Sequence, residues 1–82
     1  MNLSIELTAY PLEDKYLSVI EKYIEHLRGY KKIKLEVFPT CSVLFGKHDD
    51  VMEALSSSIK WSVENKNKVV FISKFLPNYE AI

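Results

Sequence analysis

Ile5-Glu6-Leu7-Thr8-Ala9-Tyr10-Pro11-Leu12-Glu13-Asp14-Lys15-Tyr16-Leu17-Ser18-Val19-Ile20 changes its hydrophobic period partway along. From Leu3 to Ala9 apolar and polar residues alternate, and from Leu17 onward apolar residues return every three or four positions. Period two belongs to a strand with one buried face, and period 3.6 to an amphipathic helix. Pro11 stands at the junction. It has no N–H for a central ladder, and it disfavours helical backbone in the residue before it. A second handover, Ser42-Val43-Leu44-Phe45-Gly46 into Asp49-Asp50-Val51-Met52-Glu53-Ala54-Leu55, lies half a chain later.

Working outward, strand one covers 3–10 and helix one runs from about residue 13 or 14 to 28, with Asp14 as its capping candidate and Gly29 placed to end it. Its core stripe reads Leu17, Ile20, Ile24 and Leu27, with Tyr16 and Tyr23 on the flank. Strand two covers 33–38, Pro39-Thr40 turns the chain, and strand three covers 41–46. Helix two follows Asp49 as N-cap, its core face being Val51, Met52, Leu55, Ile59 and Ser62 or Val63. A neighbouring stripe holds Ala54, Ser58, Trp61 and Asn65. Residues 65–68 form a turn into strand four over 69–75. Pro77 closes the ordered part, and the last five residues trail.

The order β-α-β-β-α-β specifies an α+β, ferredoxin-like sandwich. Its right-handed crossovers place both helices on one face of a four-stranded antiparallel sheet. The reading gives one domain over 1–82 with an ordered core of about 3–76. Val70, Ile72, Leu44 and Phe38 are then expected on the uncovered face, where such an apolar patch calls for a cover. Sheet-to-sheet or edge-to-edge self-association, as a dimer or tetramer, is the expectation.

Eleven basic and eleven acidic residues cancel, and Arg28 is the single arginine. A dedicated nucleic-acid binder normally carries a basic, arginine-rich face, so that class is set aside. A hydrophobic share of 48% supports a packed core rather than disorder. Cys41 alone makes no internal disulfide and no zinc framework. Neither a basic-then-apolar leader nor a run of about 20 apolar residues is visible. The expectation is a soluble cytoplasmic protein without a membrane partner.

No catalytic set emerges. His26 falls among Lys22, Glu25 and Arg28 on a solvated helix face. His48-Asp49-Asp50 offers metal-ligating atoms, but adjacent ligands seldom converge and capping explains the aspartates. Cys41 reads as an inert buried thiol in a strand. Ser56-Ser57-Ser58 lacks a glycine elbow, and Gly29 and Gly46, the only glycines, form no phosphate loop. RNA binding would want basic residues around strand three, which has none before Lys47. The reading therefore assigns no catalytic residue, no metal and no cofactor. What remains is a binding set of Thr8, Tyr10, Thr40, Ser42, Ser58 and Trp61, in which small hydroxyls and flat aromatic surface suit a planar heteroaromatic ligand.

Tyr10-Pro11-Leu12 with Asp14 and Leu17-Ser18-Val19-Ile20 resembles the opening of the thiamine/hydroxymethylpyrimidine-binding (YkoF-like) family. Ser42-Val43-Leu44-Phe45-Gly46 with Asp49, Val51 and Ala54 is similar to that family's third strand and second helix, and 69–75 to its fourth strand. The resemblance covers about 3–75. It implies a ferredoxin-like domain that assembles through its sheet and binds thiamine or its hydroxymethylpyrimidine moiety without transforming it. It puts Ser42 first as a ligand hydrogen-bonding residue, with Tyr10 in the matched strand end. Cys41 and Phe45 depart from the family's pattern, which normally has Ser or Gly and often Glu or Arg there. A module of the same fold that meets a protein partner and has no small ligand is the competing reading, with a small isomerase-like enzyme behind it.

Overall fold

A computed structural model describes residues 1–82. The elements follow in the order β1 (Asn2–Pro11), α1 (Tyr16–Leu27), β2 (Lys34–Val37), β3 (Ser42–Lys47), α2 (His48–Glu64) and β4 (Val69–Pro77). The strands form one antiparallel sheet in the order β2-β3-β1-β4, the ferredoxin-like arrangement.

Register decides which side chains meet the helices. Leu35, Leu44, Ile5 and Phe75 stand opposite one another across all four strands, and Val37, Ser42, Leu7 and Ser73 form the next row on the same face. This face carries the core. Leu3, Ile5, Leu7 and Leu44 pack against Tyr23 and Leu27 of α1 and Val51, Ala54 and Leu55 of α2. The open face, one residue out of phase, holds Glu36, Val43, Glu6 and Lys74 in one row, and the pairs Thr8–Ile72 and Tyr10–Val70 beyond it. Leu44, expected on the open face, is therefore a core residue with no exposure. Its pairing with Ile5 and Leu35, both on the helix-facing side, puts it there.

Both helices differ from expectation in how they start. α1 begins at Tyr16 after Lys15, and Asp14 makes no capping bond. α2 begins at His48 after Lys47, again without a side-chain cap, and Asp49 and Asp50 sit in its first turn, where the helix dipole favours them. The core stripe of α1 is Val19, Tyr23 and Leu27, while Leu17 is 60% exposed. In α2 the small residues win. Ala54, Ser58 and Ser62 are buried with Val51 and Leu55, whereas Val63 is exposed. A small side chain lets the helix approach the sheet closely, so hydropathy alone misplaces the stripe.

The C-terminus of α2 closes in a Schellman arrangement. Asn67 N–H donates to Ser62 C=O (3.1 Å), and Lys66 N–H to Val63 C=O (2.9 Å). Lys66 pivots at φ 60°, a conformation that costs a side-chain-bearing residue on the order of 1 kcal/mol. Lys66→Gly should therefore raise stability by about 0.5–1 kcal/mol in thermal denaturation, since glycine meets no penalty there.

The last five residues do not trail. Asn78, at φ 57°, reverses the chain, and its N–H donates to Asn2 C=O (2.7 Å). Ser4 then donates to the carbonyl of Tyr79 and accepts from Ala81 N–H (3.0 Å). The tail thus covers Ser4 on the open face, and Ser4 has no exposure. No helix is long and apolar enough to cross a membrane.

Candidate functional site

β1 and β2 are joined through a helical crossover and run parallel, so their C-terminal ends lie at the same end of the sheet. β1 ends in an aromatic-proline pair, Tyr10-Pro11, and a second, Phe38-Pro39, directly follows β2. The turn after β2 is closed by Phe38 N–H donating to Cys41 C=O (2.8 Å), and it is tied to β1 by the Thr8 hydroxyl, which donates to Thr40 C=O (3.3 Å). Between this turn, the end of β1 and the first half of α1 lies a cleft of about 380 Å³ lined by 14 residues, nine of them hydrophobic. Its size falls within the range of small-molecule sites.

The floor is Leu7 and Ser42, neighbours in register on the helix-facing side. Ser42 is 8% exposed, and its hydroxyl has no hydrogen-bond partner within the chain, although no buried polar side-chain atom is sealed away unsatisfied. The hydroxyl therefore opens onto the cleft. Ile20, Ile24 and Tyr23 form the α1 wall, and Tyr10, Tyr16 and Phe38, each about half exposed, surround the mouth.

Tyr23 is held from behind. Ser58 has one hydroxyl proton and gives it to Leu55 C=O (3.0 Å), so the Tyr23 phenol donates to Ser58 Oγ (2.7 Å). Burial pushes the Tyr23 phenol up to about 12, which keeps it neutral and a donor at any physiological pH. Its ring also packs on Phe71 (centroids 5.2 Å) and Trp61 (6.5 Å). Those contacts fix the wall without placing charge in it.

Of the residues expected to bind ligand, Thr8, Tyr10, Thr40 and Ser42 line this cleft together. Thr8 and Tyr10 alternate with the inward Leu7 and Ala9, so they reach it from the strand itself rather than from its helix-facing side. Ser58 and Trp61 lie outside the cleft. Ser58 is buried behind Tyr23, and Trp61 stacks on His26 (centroids 4.3 Å, 10° between planes). His26 is consequently half-buried rather than solvated. It shares a hydrogen bond with Tyr30 Oη (3.0 Å), and burial lowers its pKa. Cys41, expected as a buried thiol within a strand, precedes β3 and stands half-buried in the cleft wall. His48 Nδ1 lies 2.9 Å from Asp49 Oδ1, an exposed contact at the other end of the sheet.

Sequence reasoning missed Tyr16, Tyr23, Ile20, Ile24 and Phe38 as lining residues. The available signal was the repetition of aromatic-proline at the ends of two parallel strands, which brings four large rings or ring-proline surfaces to one place.

Fold and cleft together define an α+β sandwich with one concave, largely apolar site at the C-terminal ends of β1 and β2. No family model and no curated protein sequence matches the chain. Solved structures do. A "putative thiamine biosynthesis/salvage protein" of Thermotoga maritima superposes with a TM-score of 0.80 at 18% identity, over 99% of this chain and 86% of that one. A protein of Streptococcus pneumoniae gives a TM-score of 0.82 at 26% identity, over 96% and 89% of the two chains. A domain of unknown function (DUF77) from Bacillus cereus gives 0.77 at 18%, over 98% and 77%. The ferredoxin-like fold is common to all of them.

Proposed function

We propose that this chain binds a small heteroaromatic metabolite, a thiamine-type pyrimidine, without transforming it, as a single-domain member of the YkoF-like group. The observation that carries the reading is the cleft, with the unpartnered Ser42 hydroxyl opening onto it from an apolar floor and aromatic rings around its mouth. The thiamine-related name of the T. maritima protein supports the choice of ring. A flat ring gains stacking against the tyrosines and Phe38, and a ring nitrogen or exocyclic amine pairs with Ser42 Oγ. The titratable side chains of the lining are Tyr10, Tyr16, Tyr23 and Cys41, which supply no paired acid and base, so the reading is capture rather than catalysis. With its lone free cysteine, the protein suits a reducing compartment, and we place it in the cytoplasm.

Copies associate through the sheet in this reading. Tyr10, Val70 and Ile72 are 50%, 44% and 53% exposed on the open face. Beside them Lys74 and Glu6 approach to 3.7 Å, so the face carries both signs of charge. A surface with both signs can mate with a twofold copy of itself.

Thermal denaturation with millimolar hydroxymethylpyrimidine or thiamine should raise the midpoint, while unrelated heterocycles leave it unchanged. Ser42→Ala should weaken binding by about 1 kcal/mol, roughly fivefold, with the fold intact. No shift with either compound would leave the interaction-module reading in its place. An unchanged affinity in the Ser42 variant would take that hydroxyl out of the site.

A further inference from the structure

The cleft contains no ionised side chain. Its 14 lining residues are aliphatic, aromatic, hydroxyl-bearing, proline or the Cys41 thiol. The surrounding loop does not restore a charge bias. Glu13 and Asp14 lie between Pro11 and Tyr16, which both line the cleft, and they stand just ahead of the first turn of α1. Their carboxylates are the negative charge that this helix end attracts. Lys15 adjoins them, and Lys68 is anchored to the same loop through its carbonyl, which accepts from Leu12 N–H (2.7 Å). Two acids and two lysines cancel. An anion approaching the mouth meets these charges in formal balance, and inside the cleft it meets no cationic side chain.

Burying an ionised group without a counter-charge is costly, whereas a neutral polar group needs only its hydrogen bonds. Resting on the proposed binding function, we infer that the cleft discriminates against anionic forms of its ligand: it takes the free hydroxymethyl heteroaromatic rather than its phosphate ester or a ring-carboxylated analogue. A protein built this way would draw from a pool produced by a dephosphorylating or hydrolytic reaction and feed one that phosphorylates the alcohol. A site for the phosphorylated form would carry an arginine, a lysine or a glycine-rich cradle, and those features are missing from the lining.

Titration calorimetry with hydroxymethylpyrimidine, its monophosphate and a pyrimidine carboxylate decides the matter. The alcohol should bind at least about tenfold more tightly than either anion, with an affinity unchanged by raising the salt severalfold, as expected where no ionic contact is made. Thr40→Lys adds a cation at an exposed position of the lining and should narrow the gap between the anions and the alcohol. Monophosphate binding within threefold of the alcohol, or tighter, would overturn the inference while leaving the proposed function standing. Absence of binding by all three compounds would overturn the function itself, and the selectivity with it.

Discussion

Leu44→Ala lowers stability by about 2–5 kcal/mol, and Leu17→Ala changes it by no more than about 0.5 kcal/mol. Leu44 has no exposure and stands between Leu35 and Ile5 in the central row beneath the helices, so its truncation loses both transfer free energy and packing. Leu17, 60% exposed on the outer side of α1, has little to lose. In a domain of this size 1 kcal/mol moves the midpoint by about 4–8 °C, so the first variant should melt at least about 8 °C lower and the second within a few degrees. Differential scanning calorimetry of both reads the contrast directly. Equal losses would mean that α1 presents a different face to the sheet.

These two leucines also mark where the sequence was legible and where it was not. Element order came through because each strand-to-helix change of period is a local property, carried by Leu3–Ala9 and by the residues after Leu17. The identity of the inward face did not. In β3 the residues from Ser42 to Phe45 include three consecutive apolar side chains, Val43, Leu44 and Phe45, so alternation gives no phase. Pairing of Leu44 with Ile5 sets it instead. In α1 two apolar stripes compete, and Tyr23 wins a core place because Ser58 accepts its phenol proton and Phe71 covers its ring. Neither partner is visible from the helix alone.

The same reasoning covers the site. Thr8, Tyr10, Thr40 and Ser42 were recognisable as hydroxyls and a ring near strand ends, and the topology gathers them at one end of the sheet. Ser58 and Trp61 share the helix stripe that faces α1, which gives them Tyr23 and His26 as neighbours rather than open space. The tail was illegible for another reason. Its fixation depends on Ser4, more than seventy residues away in sequence, and on a left-handed Asn78. Short polar segments carry no period from which such docking can be read.

If copies associate through the open sheet face as proposed, Ile72→Lys should leave a monomer of 9.5 kDa without unfolding it. Ile72 stands opposite Thr8 and is 53% exposed in the single chain, so a lysine there is solvated and costs the isolated fold little. Within a sheet-to-sheet contact the same ammonium would be buried without a partner, a penalty of about 3–5 kcal/mol, which corresponds to roughly 150-fold or more in the association constant. A twofold interface brings the change in twice, once from each copy. Light scattering across a concentration series separates the outcomes. A wild-type protein that stays monomeric at the highest concentration would remove the assembly altogether. A variant that assembles as the wild type does would move the contact off this face to the exposed edge of β4, the long outer strand that pairs only with β1. Because the C-terminal tail already covers Ser4 at the other end of the face, the apolar area left for a partner is the end that carries Tyr10, Val70 and Ile72. Tyr10 also borders the cleft, so dissociation of the assembly should weaken ligand binding in the Ile72 variant as well.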